Sequence, residues 1–179
     1  MQIEGPVAAQ FQKLFLHTWE RAGGRVDGGS AQYFPPLAPM GAELVAAVAT
    51  SGGDRNETTI YDTYAVSIGH ASRRLWMTQA YFAPDPGLRG ALIAAAKRGV
   101  DVRIIVPGFT DSGLIFHASR KDYDELLAGG VRIYEQRYAL LHAKSMVIDT
   151  ALSMVGSANF DMRSFLHNNE LYGDRKSVV

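Results

Sequence analysis

Cysteine is missing from this chain of 179 residues. That absence excludes disulfides, thiolate zinc sites and a cysteine nucleophile, and it fits a reducing compartment. Net charge is missing as well, because 18 basic residues balance 18 acidic ones. The chain therefore has no global positive field for nonspecific nucleic-acid binding; nucleic acid is disfavoured as a partner, and only a local basic cleft could serve one. No run reaches the roughly 20 apolar residues of a membrane-spanning helix, and the N-terminus lacks the basic, apolar and small-residue layout of a signal peptide. Short internal repeats and low-complexity tracts are also lacking. A hydrophobic content of 47% over this length nevertheless suffices for one globular domain with a real core.

What is present is an alternation of helix and strand patterns. Phe11, Leu14, Phe15 and Trp19 recur at helical spacing and predict a helix over about residues 7 to 21, stopped at Gly23-Gly24. Residues from Gly23 to Pro39, with Gly28-Gly29 and Pro35-Pro36, read as a linker and carry no G-K-[ST] phosphate-loop ending. The expected organisation is thus an N-terminal helix and linker over 1–40 and a half-domain over 41–179.

Within the second unit the pattern predicts a strand near 43–49, a helix near 57–72, a strand from Leu75 to Ala80 and a helix near 87–98. A strand from Val102 to Val106, a helix near 113–128 and a strand from Val131 to Tyr134 follow. A hairpin then joins Leu141–Ile148 to Leu152–Val155. This alternation argues an α/β sandwich with a mixed central sheet flanked by helices, its last strands antiparallel.

The chemistry concentrates in one run: His142-Ala143-Lys144 through Asp149, then Gly156-Ser157-Ala158-Asn159. As a pattern it reads H-x-K-x4-D-x6-G-S-x-N, and a chance match in such a chain is on the order of 10⁻⁵ or less. Side chains alternate along a strand, so His142 and Lys144 are expected to project together. An imidazole with an ordinary pKa of about 6.5 serves as nucleophile toward phosphorus when neutral and as general acid when protonated. A fixed ammonium neutralises charge on non-bridging phosphoryl oxygens, so no metal or cofactor is required. Gly156 permits close backbone approach, and Ser157 and Asn159 offer donors to phosphate oxygens. Asp149, read locally, ends the strand and shapes the turn at Asp149-Thr150.

This run resembles the HKD motif of the phospholipase D superfamily, and Asp149 is counted with the catalytic set on that ground. The segments Ser157 to Ser164 and Asn168-Asn169-Glu170, together with Tyr81-Phe82-Ala83-Pro84-Asp85, Arg98 to Pro107 and Gly130 to Glu135, resemble the second catalytic half of bacterial cardiolipin synthases. The similarity runs from about Phe11 onward. It implies a phospholipase D-like fold in which the histidines of two HKD motifs face one phosphodiester. One forms a phosphohistidine and the other protonates the leaving alcohol. By position, His142 is one of that pair, Lys144 and Asn159 are phosphate ligands with Ser157 beside them, and Glu170 matches an acidic residue that holds the motif histidine.

The departure is that such enzymes carry two motifs and this chain carries one. In-line displacement needs nucleophile and acid on opposite sides of phosphorus, so a second half is expected from a missing N-terminal part or from a second copy. The segment Val7 to Arg21 resembles one that closes the first half in the family pattern, and the polar end Asp174 to Val179 lacks the continuing strand and helices, so truncation at both ends is the favoured expectation. The implied reaction is transfer of a phosphatidyl group from phosphatidylglycerol at a membrane surface, on the cytoplasmic face, to make cardiolipin. Phospholipase D or dimeric nuclease hydrolysis, and an inactive half-domain, are the competitors.

Residues of second rank are Tyr81 and Phe82, which leave a strand before Pro84 and could line the cleft. His17, His70 and His117 read as structural. His167 is a weak candidate for a substitute acid, Arg163 an internal ion-pair partner, and Arg73-Arg74 a solvated helix end.

Overall fold

The computed structural model describes residues 4–36, 38, 44–50, 58–109, 119–168 and 170–176. Helix α1 spans Val7–Arg21, as its apolar spacing predicts. A single-turn helix α2 at Ser30–Tyr33 interrupts the expected linker, and the Tyr33 hydroxyl donates to the Asp27 carbonyl at 2.7 Å. Then come β1 (Leu44–Thr50), α3 (Thr59–His70), β2 (Arg74–Gln79), β3 (Phe82–Ala83), α4 (Pro86–Lys97) and β4 (Asp101–Pro107). The chain continues through α5 (Tyr123–Ala128), β5 (Arg132–Gln136), β6 (Lys144–Ile148), β7 (Leu152–Gly156), β8 (Phe160–Asp161), α6 (Met162–Leu166) and β9 (Glu170–Lys176).

Seven strands form one sheet in the order β1-β9-β7-β6-β2-β4-β5, and β3 pairs with β8 separately. Strands β2, β4 and β5 run parallel, while β6, β7, β9 and β1 follow on the other side of β2, each antiparallel to its neighbour. The mixed α/β sandwich expected from the alternation is therefore the observed architecture. Parallel neighbours need crossovers, which α4 and α5 supply.

One face of the sheet holds the core. Leu75, Met77 and Gln79 of β2 and Lys144, Met146 and Ile148 of β6 are buried at alternate positions. Ile60, Tyr64 and Ile68 of α3, four apart, and Leu88, Leu92 and Ala95 of α4 cover them. Asp85 caps α4, its carboxylate accepting from the backbone N–H of Gly87 at 3.0 Å and Leu88 at 3.1 Å. The opposite face carries a groove of about 470 Å³ floored by Trp76, Ile105, Tyr134 and Val147. Lys144 alternates away from that groove, so the concavity is not where the candidate chemistry lies.

Four sequence expectations need correction. Strand β6 begins at Lys144 rather than Leu141, so His142 stands outside it. The charged segment Glu170–Lys176 is a strand, paired with β1 on one side and β7 on the other. Its composition hid it, because two flanking partners satisfy its backbone whatever its side chains. Arg74 is no helix-end cation: it opens β2, its guanidinium lies 4.9 Å from the Trp76 ring centroid, and its Nε donates to the Asp149 carbonyl at 2.8 Å. Phe82 is 1% exposed and stacks on Phe160 with centroids 5.5 Å apart, so it belongs to the core and not to a cleft. Of the predicted helix near 113–128, Tyr123–Ala128 is seen as α5, while residues 113–118, His117 among them, lie outside the described residues, as do Asn169, Pro39 and Ser177 to Val179.

Candidate active site

Lys144, at the start of β6, is 7% exposed and stands across from Gln79, the last residue of β2. The site thus sits at the carboxyl end of a central parallel strand, where α/β sheets place ligands. Lys144 Nζ donates to the His142 carbonyl at 3.0 Å and lies 3.0 Å from Nδ1 of the same histidine. The pair therefore meets because the lysine stem folds back over the imidazole, not because both occupy one strand face. Nζ also lies 3.3 Å from Nε2, and because an ammonium only donates, whichever ring nitrogen takes its hydrogen is bare and accepts. His142 itself is exposed, and the Tyr81 ring meets it edge-on with centroids 6.4 Å apart. Tyr81 thus reaches the site, unlike its neighbour Phe82.

Burial pushes the Lys144 ammonium below the ordinary lysine range, and the negative charge of Glu170 works in the other direction. Glu170 opens β9 and is 9% exposed. Its carboxylate accepts from the Ser157 hydroxyl and, at 3.0 Å, from the Asn168 side-chain amide. The resemblance leads one to expect a bond to His142, but Glu170 instead holds Ser157 and acts on Lys144 through charge. Ser157 is occupied on both sides: its hydroxyl hydrogen goes to Glu170, and its oxygen accepts from the Leu171 N–H at 3.0 Å. Donation from Ser157 to a phosphate would require the hydroxyl to turn.

Asn159 presents a contrast, because its Oδ1 is buried without a hydrogen-bond partner. Its loop is anchored by Phe160, which is fully buried and packs edge-on against Tyr64 at 5.0 Å and Phe165 at 5.6 Å. Asp161 caps α6 by accepting from the Ser164 N–H at 2.7 Å, which fixes the far end of the loop. Gln79 and Tyr64 complete the floor, the Gln79 amide donating to the Tyr64 hydroxyl at 3.1 Å, with Gln79 Oε1 buried and unpartnered. Sequence reading missed Gln79; the available signal was an amide ending an otherwise buried strand just ahead of Tyr81.

Asp149 is not brought to this cluster. It lies past the far end of β6, at a left-handed φ of 53°. Its carboxylate accepts from Ser72 N–H at 3.1 Å, Ser72 Oγ at 2.9 Å, Arg73 N–H at 2.8 Å and Arg74 N–H at 2.9 Å. It therefore pins the entry of β2 to the exit of β6. Burial raises its carboxyl, but these donors, led by the Arg74 N–H, outweigh that and hold it below the usual carboxylate range. With the folded value below the unfolded one, the stabilisation is present at neutral pH and disappears as pH falls through the folded value, below about pH 4. Asp149→Ala is expected to lower stability by about 2 kcal/mol at neutral pH and by about half that at pH 2–3, where the strain of alanine on the left-handed backbone remains. Asp149→Asn, which tolerates the left-handed backbone, should cost about half as much. Urea denaturation at both pH values checks this, and equal losses at both would count against it.

Arg163 is exposed and forms no ion pair with the described residues, and His167 follows α6, also exposed. His70 lies in α3 with Nδ1 2.8 Å from the Val66 carbonyl, and His17 lies in α1. Among the described residues no group of three or more His, Cys, Asp or Glu could hold a metal ion, and no helix is long and apolar enough to cross a membrane.

Residues 64–172 match the family described as "Cardiolipin synthase, PLD-like domain". The chain is 40% identical over 177 residues to cardiolipin synthase A of Pectobacterium carotovorum subsp. carotovorum (strain PC1), an alignment covering 95% of this chain and 35% of that protein. It is 37% identical over 171 residues to probable cardiolipin synthase YwiE of Bacillus subtilis (strain 168), covering 96% and 34% respectively. The chain thus spans about a third of the length of these relatives. Among solved structures, the phospholipase D family member Nuc from Salmonella typhimurium matches with a TM-score of 0.63 and 22% identity, over 76% of this chain and 84% of that one. At that identity the likeness concerns the fold.

Proposed function

The chain belongs to the phospholipase D superfamily, in its cardiolipin synthase-like family, and on that premise we propose that it supplies one half of a two-motif site that transfers a phosphatidyl group between alcohols. The observation that carries this reading is the buried Lys144 ammonium against the exposed His142 imidazole, at the end of the sheet. A cation held without solvent around it is preorganised for charge on phosphoryl oxygens, and an imidazole at the mouth is free to reach phosphorus or the bridging oxygen.

Two phosphatidylglycerol molecules yield cardiolipin and glycerol in two displacements. In the first, an imidazole nitrogen attacks phosphorus, the bond from phosphorus to the glycerol oxygen breaks, and the opposing imidazole gives its proton to the departing glycerol. In the second, the hydroxyl of another phosphatidylglycerol loses its proton to that opposing imidazole and attacks phosphorus, and the phosphorus–nitrogen bond breaks. His142, coming from the second motif of the two-motif pattern, takes the acid and base role. Lys144 and Asn159 hold the phosphate, Glu170 orients Ser157 and acts on Lys144, and Asp149 is a positioning residue at the base of the strand pair. The partner half is the remainder of a longer protein or a second copy, and the work is done at a membrane surface on its cytoplasmic side.

The test is product analysis on phosphatidylglycerol vesicles, with light scattering on the same samples at several concentrations. Cardiolipin and glycerol are expected in equal amounts, in proportion to the population that contains two HKD motifs. Phosphatidic acid as the main product, with no gain in cardiolipin as acceptor is added, would move the reading to hydrolysis. Turnover by a demonstrated single-motif monomer would overturn the paired site.

A further inference from the structure

Gln79 is fully buried in the sheet, one of the few buried polar residues of the core face. It stands across from Lys144 in the antiparallel register of β2 and β6, and directly opposed side chains on one face lie about 4.5–5.5 Å apart at Cβ. Its amide nitrogen donates to Tyr64 Oη at 3.1 Å, whereas its carbonyl oxygen has no partner. An orphaned buried acceptor is costly, and buried polar groups in native proteins are paired, so this oxygen calls for a partner. The reverse amide orientation would turn two donors toward an ammonium, so the charge next door favours the oxygen on that side.

Lys144 has three N–H groups to place. One goes to the His142 carbonyl and one to the bare ring nitrogen of His142. The second of these is lost when His142 becomes the imidazolium that serves as acid, because neither ring nitrogen then has a lone pair to offer Lys144. We infer that Gln79 is a positioning residue whose Oε1 accepts an N–H of the Lys144 ammonium, keeping it in place over the phosphate when the imidazole of His142 takes up its role. The cycle in this statement rests on the phosphodiester reading above; the register that sets Gln79 across from Lys144 does not. The charged and titratable groups that bear on Lys144 are His142, from the segment before β6, and Glu170, from β9.

The experiment is a titration of the chain carrying ¹³C-labelled lysine side chains, followed by NMR, with the Lys144 signal assigned by its loss in Lys144→Met. Gln79→Leu removes the acceptor while filling the same space, and is expected to lower the proton affinity of Lys144 about tenfold, the size of one hydrogen bond to a charged group. Gln79→Met serves as the second variant should the branched side chain disturb folding, which the amide spectrum reports. Tyr64→Phe breaks the Gln79–Tyr64 bond but keeps the acceptor, and is expected to leave the Lys144 midpoint within about twofold; a merely structural role would move both variants alike. A Lys144 midpoint unchanged in Gln79→Leu and Gln79→Met, both folded, overturns the role. Because no turnover is measured, that failure is separate from a failure of the vesicle assay, which would strike the functional reading and leave the midpoint where it is.

Discussion

His142→Ala, introduced into the form of the protein that contains both HKD motifs, is expected to lower phosphatidyl transfer by about 10⁴-fold. The size follows from the role, since one imidazole that serves as acid in the first displacement and base in the second contributes up to about 10⁴. Stability should hardly change. His142 is exposed, sits ahead of β6 rather than in it, and touches Lys144 and the edge of Tyr81 rather than the core. Initial rates on vesicles with matched thermal midpoints check both halves of the expectation. Activity within tenfold of the parent would sink the assignment, and an unfolded variant would show that the imidazole holds more structure than its contacts indicate.

The largest effect on folding is expected at Phe160. Its ring is fully buried, stacks on Phe82, and meets Tyr64 and Phe165 edge-on, so alanine leaves a cavity among three aromatic partners. Such truncations cost about 3–5 kcal/mol, a large share of the 5–15 kcal/mol that domains possess. For a chain of this size that corresponds to a fall of roughly 10 °C in thermal midpoint. The same change removes the side-chain anchor of the Gly156 to Asn159 loop and leaves the bond from the Phe160 N–H to the Tyr81 carbonyl, 3.1 Å, to tie the two site segments together. Phe160→Leu should recover much of the stability. Urea denaturation of both variants decides it, and a loss below about 1 kcal/mol for alanine would mean that this cluster does not bear the loop.

These two residues also mark how far a sequence carries. Periodicity placed α1, α3, α4 and strands β1, β2, β4, β5 and β7 to within a residue or two, because an amphipathic period of 3.6 or 2 is a local property, whereas β6 begins three residues later than its pattern suggests. Resemblance brought His142, Lys144, Asn159, Ser157 and Glu170 together on paper, since motif spacing survives in one dimension. Strand β9 was not legible: its pairing with β1 and β7 comes from partners far apart in the chain, and its own composition argues for a loop. The same holds for the single-turn helices α2 and α6, which are too short to show a period.

Within the site, what the sequence by itself determined is the inventory: one imidazole, one ammonium, a glycine loop with an amide, and the family to which that order belongs. Tertiary structure decided how they are used. It placed His142 outside the strand, turned Lys144 back onto it, assigned Glu170 to Ser157, sent Asp149 to the opposite end of β6, and set Gln79 across from Lys144. The physical reason is that spacing along a chain specifies which side chains share a face, whereas burial, register and the competition of donors for acceptors arise only when distant segments pack.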